Sequence, residues 1–298
     1  MATRFELVLH GDDPVRLRAA GEEALREIER LDAQLSLYRP DSEVCWINAR
    51  AAREPIKVEP RLFRLLQRCA DVTARTDGAF DITITPLMRA WGFVGGAGKT
   101  PYPAELESSG ALVGMERIRL DEGNFTVQFD KGGVEIDLGG VGKGYAVERA
   151  VGVLRDSGIT SALLHGGTST ICAIGTQPDG APWKVAIRKP GDQEPPMEVV
   201  GLCDNCLSVS AAHGKSFTDG NREFGHVIDP RTGQSVQGAL MAAVIGPSPT
   251  ECDALSTALL VLGEPGLRML AERFPGCSGL VIARTPKGGN LHKTDDLR

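Results

Sequence analysis

Residues 134–146 read V-E-I-D-L-G-G-V-G-K-G-Y-A and combine a strand pattern, a run of glycines and the start of a helix. Apolar and acidic residues alternate up to Leu138, a pattern that predicts a strand. Glycines and Lys143 come next, and a helix is predicted over residues 145–154, with Gly158 as its stop. A strand that turns through glycines into a helix leaves unpaired amides at a positive helix end, which is a ready anion site.

Asp137, at the end of the predicted strand, limits what this site can bind. A carboxylate repels a bare phosphate, so its presence indicates a sugar, a ring nitrogen or a metal ion nearby. The alternative is a tight turn that uses glycine only for its backbone freedom. The cluster of glycines, a lysine and an aspartate within residues 137–144 favours the functional interpretation.

The composition is ordinary for a soluble enzyme. The chain has 298 residues, of which 42% are hydrophobic and 24% charged, enough for one large domain or two intimate lobes. A net charge of −6 argues against a nucleic-acid binder. No apolar run approaches the roughly 20 residues that span a bilayer, and no signal peptide is visible. The expectation is a cytoplasmic protein, or a periplasmic or membrane-anchored one if a leader was removed.

Cysteine usage gives a weaker signal. The count of seven is odd, so at least one thiol is unpaired within the chain. Cys203 and Cys206 form a C-x-x-C, but no second pair lies at zinc-ribbon spacing, which makes a metal site weakly supported. The better interpretation is that the cysteines are small buried hydrophobes in a reducing compartment.

Three helices carry clear start signals. Asp13 precedes Pro14 and apolar residues at helical spacing, and a second helix follows Pro60. The third has the sharpest signature, because residues 248–251 read S-P-T-E, a capping box with proline in the first turn.

The strand predictions favour antiparallel sheet. Short strands at 171–175, 184–188 and 207–211 follow one another without helices between them. Alternation over residues 80–85 predicts a further, half-buried strand with Asp81 on its polar face. No repeat or linker is visible, so residues 1–298 are expected to form a single domain.

The third helix also carries a polar group of residues. Asp253, Ser256 and Thr257 stand at i, i+3 and i+4, on one face of a helix that is otherwise largely apolar and therefore buried. A buried carboxylate needs partners, and hard oxygen ligands of this kind suit Mg²⁺. The alternative is an aspartate hydrogen-bonded to a neighbouring loop.

Three further residues support two interpretations each. His226, in the stretch G-H-V-I-D-P-R-T-G at 225–233, is either structural or a catalytic base. Tyr38 is a surface aromatic anchored by its hydroxyl or a platform for a planar ligand. Trp91 could line a pocket or fill the core.

Four stretches, in this order, resemble the ApbE-type flavin transferases, the FAD:protein FMN transferases. They are D-G-A-F-D-I-T-I-T-P-L with W-G-F, D-L-G-G-V-G-K-G-Y-A, H-V-I-D-P-R-T-G and D-A-L-S-T-A-L-L-V-L-G. The resemblance implies an α/β (α+β) protein of two lobes of mixed or antiparallel sheet with flanking helices, and FAD in the cleft between them. It implies Mg²⁺-dependent transfer of FMN from FAD to a threonine hydroxyl of a target protein, releasing AMP. Some members instead hydrolyse FAD to FMN and AMP.

The resemblance also implies residue roles. The metal ligands would be Asp253, Thr257 and the carbonyl of Gly140. His226 is the candidate base, with Asp229 or Asp253 as alternatives. The residues expected to contact FAD are Met1, Tyr38, Ala79, Phe80, Asp81, Asp137, Lys143 and Ile228, with Trp91 as a further pocket residue.

Residues 210–217, S-A-A-H-G-K-S-F, depart from the family's usual S-G-x-Y-E-R-x-F, in a segment expected to face the acceptor protein. The sequence is also compatible with two other classes of protein. One is an FAD-binding protein without catalysis. The other is a flavin oxidoreductase, against which stands the absence of a dinucleotide G-x-G-x-x-G near a first strand.

Overall fold

The computed structural model of the chain describes residues 3–188, 196–212, 214–285, 288–295 and 297. They group into two compact units. The first comprises Met1–Asp32, Val141–Ala211 and Leu240–Arg298, and the second comprises Ala33–Gly140 and Ala212–Ala239. The expectation of a single domain over residues 1–298 stays a prediction.

Helices and strands alternate irregularly along the chain. The α-helices are α1 (Pro14–Leu35), α2 (Glu43–Arg50), α3 (Pro60–Arg75), α4 (Thr85–Ala90), α5 (Pro103–Gly110), α6 (Gly142–Asp156), α7 (Pro249–Leu262) and α8 (Pro265–Arg273). The strands are β1 (Phe5–His10), β2 (Ile56–Lys57), β3 (Ile118–Asp121), β4 (Thr126–Phe129), β5 (Ser161–Gly166), β6 (Thr170–Ile174), β7 (Trp183–Ile187), β8 (Glu198–Leu202), β9 (Cys206–Ala211), β10 (Ser216–Asp219), β11 (Arg222–Gly225), β12 (Ala239–Gly246), β13 (Ser278–Thr285) and β14 (Gly288–Lys293).

The first unit is built on a seven-stranded sheet of order β1-β5-β6-β9-β12-β13-β14. Strands β1, β5, β6, β9 and β12 pair antiparallel in succession, as do β13 and β14. Helices α6 and α7 pack against each other and against this sheet. The β7–β8 hairpin contributes Trp183, Val185 and Val200 to an apolar cluster with Leu163 and Leu207 of the sheet. The mixed α/β class and the antiparallel sheet are confirmed.

The second unit contains the three-stranded sheet β2-β4-β3 and the β10–β11 hairpin. An aromatic core stabilises it, in which Trp91 packs on Phe224 at 5.2 Å between ring centroids and on Phe217 at 6.3 Å. Phe93 lies 5.7 Å from Phe217 in the same cluster. The hairpin is therefore held by aromatic packing as well as by its own hydrogen bonds.

The strand predicted over residues 80–85 is wrong. These residues form turns that lead into α4, because the Asp81 carboxylate accepts hydrogen bonds from both the N–H and the hydroxyl of Thr83, at 2.8 and 2.6 Å. Such local side-chain bonds compete with a strand ladder. Asp81 and Thr83 are also buried, so the polar residues do not face solvent.

The strand predicted up to Leu138 is also wrong, although its burial pattern alternates as expected. Val134, Ile136 and Leu138 are buried, yet the segment pairs with no strand in the described structure. The Asn48 side chain binds both the N–H and the carbonyl of Ile136, at 2.8 and 2.9 Å. One side-chain amide thus replaces a strand partner. The helix that follows is confirmed as α6, and it already begins at Gly142.

The cysteine prediction needs correction. Cys172 and Cys206, which are directly opposite each other on β6 and β9, are joined by a disulfide. Cys203 is exposed, and the described residues contain no cluster of three His, Cys, Asp or Glu side chains that could hold a metal ion.

Among the described helices, none combines the length and apolar character that crossing a membrane would need.

Candidate functional site

Asp253 lies on the buried face of α7 in the first unit, with 2% of its surface exposed. Its Oδ2 atom accepts a hydrogen bond from the N–H of Gly144 at 2.8 Å. Its Oδ1 atom lies 3.6 Å from the Nζ atom of Lys143 and accepts a hydrogen bond from Ser208 Oγ at 3.3 Å. The carboxylate thus joins the first turn of α6 to α7 and β9, and the expected need of this buried charge for partners is met.

The absence of a side chain at Gly144 allows this approach. A Cβ atom there would lie 2.7 Å from the Cβ of Asp253 and would overlap the carbonyl oxygen of Pro249. At Gly142, two residues earlier, a Cβ atom would meet nothing within 4 Å. Of the glycines predicted to form an anion site, Gly144 therefore also has a packing role.

Hydroxyl groups surround the same part of α7. Ser210 Oγ lies 2.8 Å from Ser256 Oγ and 3.3 Å from Thr257 Oγ1, and Thr257 Oγ1 donates to the carbonyl of Asp253 at 3.4 Å. Ser208 and Ser210 were not predicted as site residues. The signal was present, because serines that alternate in a strand point to the same face.

This donor set fits a hard divalent cation. It offers the carboxylate of Asp253 together with the neutral hydroxyl of Thr257. The described residues contain no group of three or more His, Cys, Asp or Glu side chains that could hold a metal ion. Mg²⁺ is commonly held in this way, by one or two carboxylates together with substrate phosphates and waters.

Tyr38 is the most exposed of the predicted site residues in the second unit, at 66%. The Nζ atom of Lys215 lies 5.6 Å from the centroid of its ring, within cation–π range. Partial burial and the nearby Asp137 carboxylate raise the pKa of the Tyr38 phenol, while Arg89 lowers it. Tyr38, Asp137 and Lys215 therefore form one group, of which Lys215 was not predicted.

Ala79, Phe80 and Asp81 are buried in the second unit. Burial is the main cause of the raised pKa of the Asp81 carboxyl, and hydrogen bonds from Thr83 and from the N–H of Met115, at 3.1 Å for the latter, act against it. These contacts give Asp81 a structural role in holding its loop, whatever its role toward a ligand.

Trp91 and Ile228 both belong to the aromatic core of the second unit. The indole N–H of Trp91 donates to the carbonyl of Gly233 at 2.8 Å, so its polar atom is satisfied inside the protein. This arrangement favours the interpretation of Trp91 as a core residue over that of a pocket residue.

His226 is half-buried, and its backbone N–H donates to the carbonyl of Lys215 at 3.0 Å. Its imidazole lies edge-on to the Phe93 ring, with 6.4 Å between centroids. Asp229 instead accepts two side-chain hydrogen bonds from Arg231, at 2.9 and 2.8 Å, and holds the following turn. The Asp229 carboxylate is therefore engaged in holding this turn.

Met1 and Gly140 are the two other residues predicted to belong to the site. Met1 lies outside the described residues. Gly140 is half-buried in the turn that precedes α6. Within each unit the predicted residues divide clearly: Lys143, Asp253 and Thr257 lie together in the first, and Tyr38 and Asp137 lie together in the second.

Comparisons with known proteins show which family the chain resembles. The profile of the ApbE family matches residues 1–281. A FAD:protein FMN transferase of Haemophilus influenzae is 31% identical over 288 residues, which cover 93% of this chain and 83% of that protein. The solved structure of the flavin transferase ApbE from Vibrio cholerae has a TM-score of 0.86 at 28% identity, covering 99% of this chain and 94% of that one. The apo form of the Pseudomonas stutzeri flavinyl transferase ApbE has a TM-score of 0.85 at 29% identity, covering 98% and 90%.

Proposed function

The chain belongs to the ApbE family, and from this premise we propose that it transfers FMN from FAD to a threonine hydroxyl of an acceptor protein, releasing AMP. The observation that carries the proposal is the buried Asp253 carboxylate, which is held by Lys143 and the first turn of α6 beside the hydroxyl of Thr257. Cleavage of a pyrophosphate needs such a combination of a metal-binding carboxylate and fixed positive charge.

Mg²⁺ bound by Asp253 and Thr257 would neutralise charge on the pyrophosphate oxygens during the reaction. The carbonyl of Gly140 stays a third ligand expected from the family resemblance. Lys143 and the helix dipole of α6 add positive charge on the protein side. The N–H of Gly144 is used by Asp253, so its part is to hold the carboxylate in place.

The chemical step balances without a redox partner. The threonine oxygen forms a bond to the phosphorus of the FMN half, the bond from that phosphorus to the bridging oxygen breaks, and AMP leaves. The hydroxyl proton must be taken up by a base, and we assign this role to His226. Water attacks by the same route in the alternative reaction, FAD hydrolysis to FMN and AMP.

Recognition of the flavin is assigned to residues of the second unit. Tyr38 offers an exposed aromatic face with the Lys215 ammonium above it, and a planar isoalloxazine can stack on such a face. Asp137 adds an acceptor for N–H groups or ribityl hydroxyls. Ala79, Phe80, Asp81, Trp91 and Ile228 would form the wall behind these residues, and Met1 stays an expected contact.

Lys143→Met is expected to weaken FAD binding about tenfold, because it removes a charge-assisted contact to phosphate. The remaining affinity should also depend less on salt, since one screened charge pair is lost. Titration of FAD at low and high ionic strength measures both effects. Lys57→Met, which removes an exposed charge on β2 in the second unit, is the matched control. Equal FAD affinity and salt dependence in Lys143→Met and wild type would restrict the glycine turn to a structural role.

The proposed reaction is tested by supplying FAD and Mg²⁺ with and without an acceptor protein that carries a target threonine. We expect slow AMP release from FAD alone, and faster release with covalent flavin on the acceptor. The readouts are AMP release and flavin fluorescence of the acceptor on a denaturing gel. His226→Ala should slow both reactions, by about 10²-fold or more if it is the base.

The outcomes separate the alternatives. Rapid AMP formation without acceptor, together with no covalent flavin on any cognate partner, would favour a pyrophosphatase. FAD that binds but stays intact with Mg²⁺ would favour a binding protein without catalysis. Wild-type rates in His226→Ala would remove only the assignment of the base.

A further inference from the structure

The C-x-x-C of the sequence lies where β8 leads into β9 in the first unit, and the proposed flavin transfer does not use it. Cys206, the first residue of β9, is disulfide-bonded to Cys172 on β6. Both are almost fully buried, at 1% and 3% exposure. Cys203 is an exposed free thiol. A buried disulfide therefore lies three residues from a thiol that solvent can reach.

The bend that contains Cys203 is fixed against β6. Asp204 has a φ of 51°, and its Oδ1 atom accepts hydrogen bonds from the N–H of Gly175 at 3.1 Å and from the Arg155 guanidinium at 2.9 Å. The carbonyl of Asn205 accepts from the N–H of Ala173 at 3.0 Å. C-x-x-C is the spacing of thiol–disulfide redox motifs, in which the two thiols pair with each other. The two residues that follow Cys203 are thus fixed against the end of β6, the strand that carries Cys172.

We propose that Cys203, Cys206 and Cys172 form a thiol–disulfide exchange site, through which small thiols reduce a disulfide that they cannot reach directly. The Cys203 thiolate attacks the Sγ atom of Cys206, the Cys203–Cys206 bond forms and the Cys172–Cys206 bond breaks. The electron pair leaves on the Cys172 sulfur, which then takes up a proton. This exchange needs no external oxidant or reductant.

Reduction follows on the exposed side. A small thiolate attacks the Sγ atom of Cys203, releases the Cys206 thiolate and leaves a mixed disulfide on Cys203. A second small thiolate resolves this mixed disulfide, and the products are the oxidised small thiol and three protein thiols. The chemical class of the substrate is thus a low-molecular-weight thiol, for which glutathione is a suitable probe.

The two other cysteines nearby do not compete in this exchange. Cys252 and Cys277 are both buried, and the Cys252 sulfur donates toward the carbonyl of Cys206 at 3.9 Å. A hydrogen bond with Cys277 and then burial raise the pKa of the Cys252 thiol well above its usual value. Since the thiolate is the attacking species, a thiol that stays protonated is a poor nucleophile.

The cysteine site also lies near the hydroxyl groups that surround Asp253. Two residues along each strand from the disulfide, Thr170 and Ser208 face each other with their hydroxyl oxygens 3.2 Å apart, and Ser208 donates to Asp253. Reduction of the disulfide therefore breaks a covalent link between β6 and β9, close to the Ser208 hydroxyl that donates to Asp253, the candidate metal ligand. The exchange itself does not depend on flavin transfer.

The experiment compares the rate at which glutathione reduces the disulfide in wild type, Cys203→Ser and Cys45→Ser, the last being a half-buried cysteine of the second unit. Samples are quenched with N-ethylmaleimide and mapped with trypsin. Cleavage after Lys184 separates Cys172 from Cys206, whereas Cys203 and Cys206 share one peptide, so the original and exchanged disulfides differ in mass. We expect reduction about tenfold slower or more in Cys203→Ser and wild-type rates in Cys45→Ser. The exchanged disulfide should be trapped in wild type and in Cys45→Ser, and should be absent from Cys203→Ser.

Several results would overturn the proposal. These are equal reduction rates in Cys203→Ser and wild type, absence of the Cys203–Cys206 peptide during reduction, or no Cys172–Cys206 linkage in air-oxidised protein. Reduction in urea should proceed at one rate in all three proteins, because unfolding exposes the disulfide directly. A slow rate for Cys203→Ser in urea as well would assign the difference to chemistry outside the folded site.

Discussion

Asp253→Asn is expected to abolish Mg²⁺-dependent cleavage of FAD, with turnover reduced by about 10²-fold or more, while the protein stays folded. The charge of the carboxylate is what a hard divalent cation needs, and losing such a ligand removes several kcal/mol of transition-state stabilisation. The fold should persist because the asparagine carbonyl can still accept the N–H of Gly144. AMP release at saturating FAD, followed as a function of Mg²⁺ concentration, measures the effect, and circular dichroism checks the fold.

Two further variants test whether the loss of turnover depends on the charge of a metal ligand. Thr257→Val removes a neutral hydroxyl and should slow the same step less than Asp253→Asn. Asp130→Asn removes a surface carboxylate that pairs with Arg117 in the second unit, at 3.0 Å, and should leave turnover unchanged. Normal Mg²⁺-dependent cleavage in Asp253→Asn would exclude Asp253 as a metal ligand and would remove the observation on which the proposed function rests.

Helices α1, α3 and α7 were predictable from sequence because their signals are local. Asp13 caps α1 through hydrogen bonds of 3.0 Å from the N–H groups of Val15 and Arg16, as its place before Pro14 predicted. Ser248 accepts the N–H of Glu251 at 3.2 Å and starts α7 in the same way. Each signal lies within three residues of the element that it defines.

The strands predicted over residues 80–85 and up to Leu138 are wrong because alternation does not show which groups the backbone will bind. Alternation correctly predicted that Ile136 is buried, but only tertiary structure supplies Asn48, which satisfies its backbone from 88 residues away. At Asp81 the competing contact is local, a short side-chain bond to Thr83, yet the alternation of residue types contains no sign of it. Periodicity reports which side of a segment is buried, and the partner that the backbone uses is a separate question.

The sequence showed parts of the candidate site but not the contacts between them. The polar face of α7 and the glycine turn before α6 were each visible in sequence, and their contact through Lys143 and Asp253 depends on how α6 packs on α7. Ser208 entered only because β9 lies beside β6 and faces α7. The disulfide was missed for a similar reason, since an odd cysteine count cannot say which strands are neighbours.

Gly144→Ala is expected to destabilise the protein by about 2–3 kcal/mol, the range typical of overpacking in a well-packed interior. The added Cβ atom would overlap the carbonyl oxygen of Pro249 and would lie 2.7 Å from the Cβ of Asp253, so the first turn of α6 would have to move away from α7. That movement would lengthen the hydrogen bond from Gly144 to the Asp253 carboxylate. Urea unfolding followed by circular dichroism measures the loss of stability.

Gly142→Ala is the matched control, because it makes the same substitution in the same turn of the same helix. Its Cβ atom would meet nothing within 4 Å. Alanine also has a higher helix propensity than glycine, so this variant should be as stable as wild type or more stable by up to about 1 kcal/mol. Steric overlap at one position and helix propensity at the other thus predict opposite signs two residues apart. If Gly144→Ala were as stable as Gly142→Ala, the close approach of α6 to Asp253 would be wrong, and with it the geometry assigned to the site.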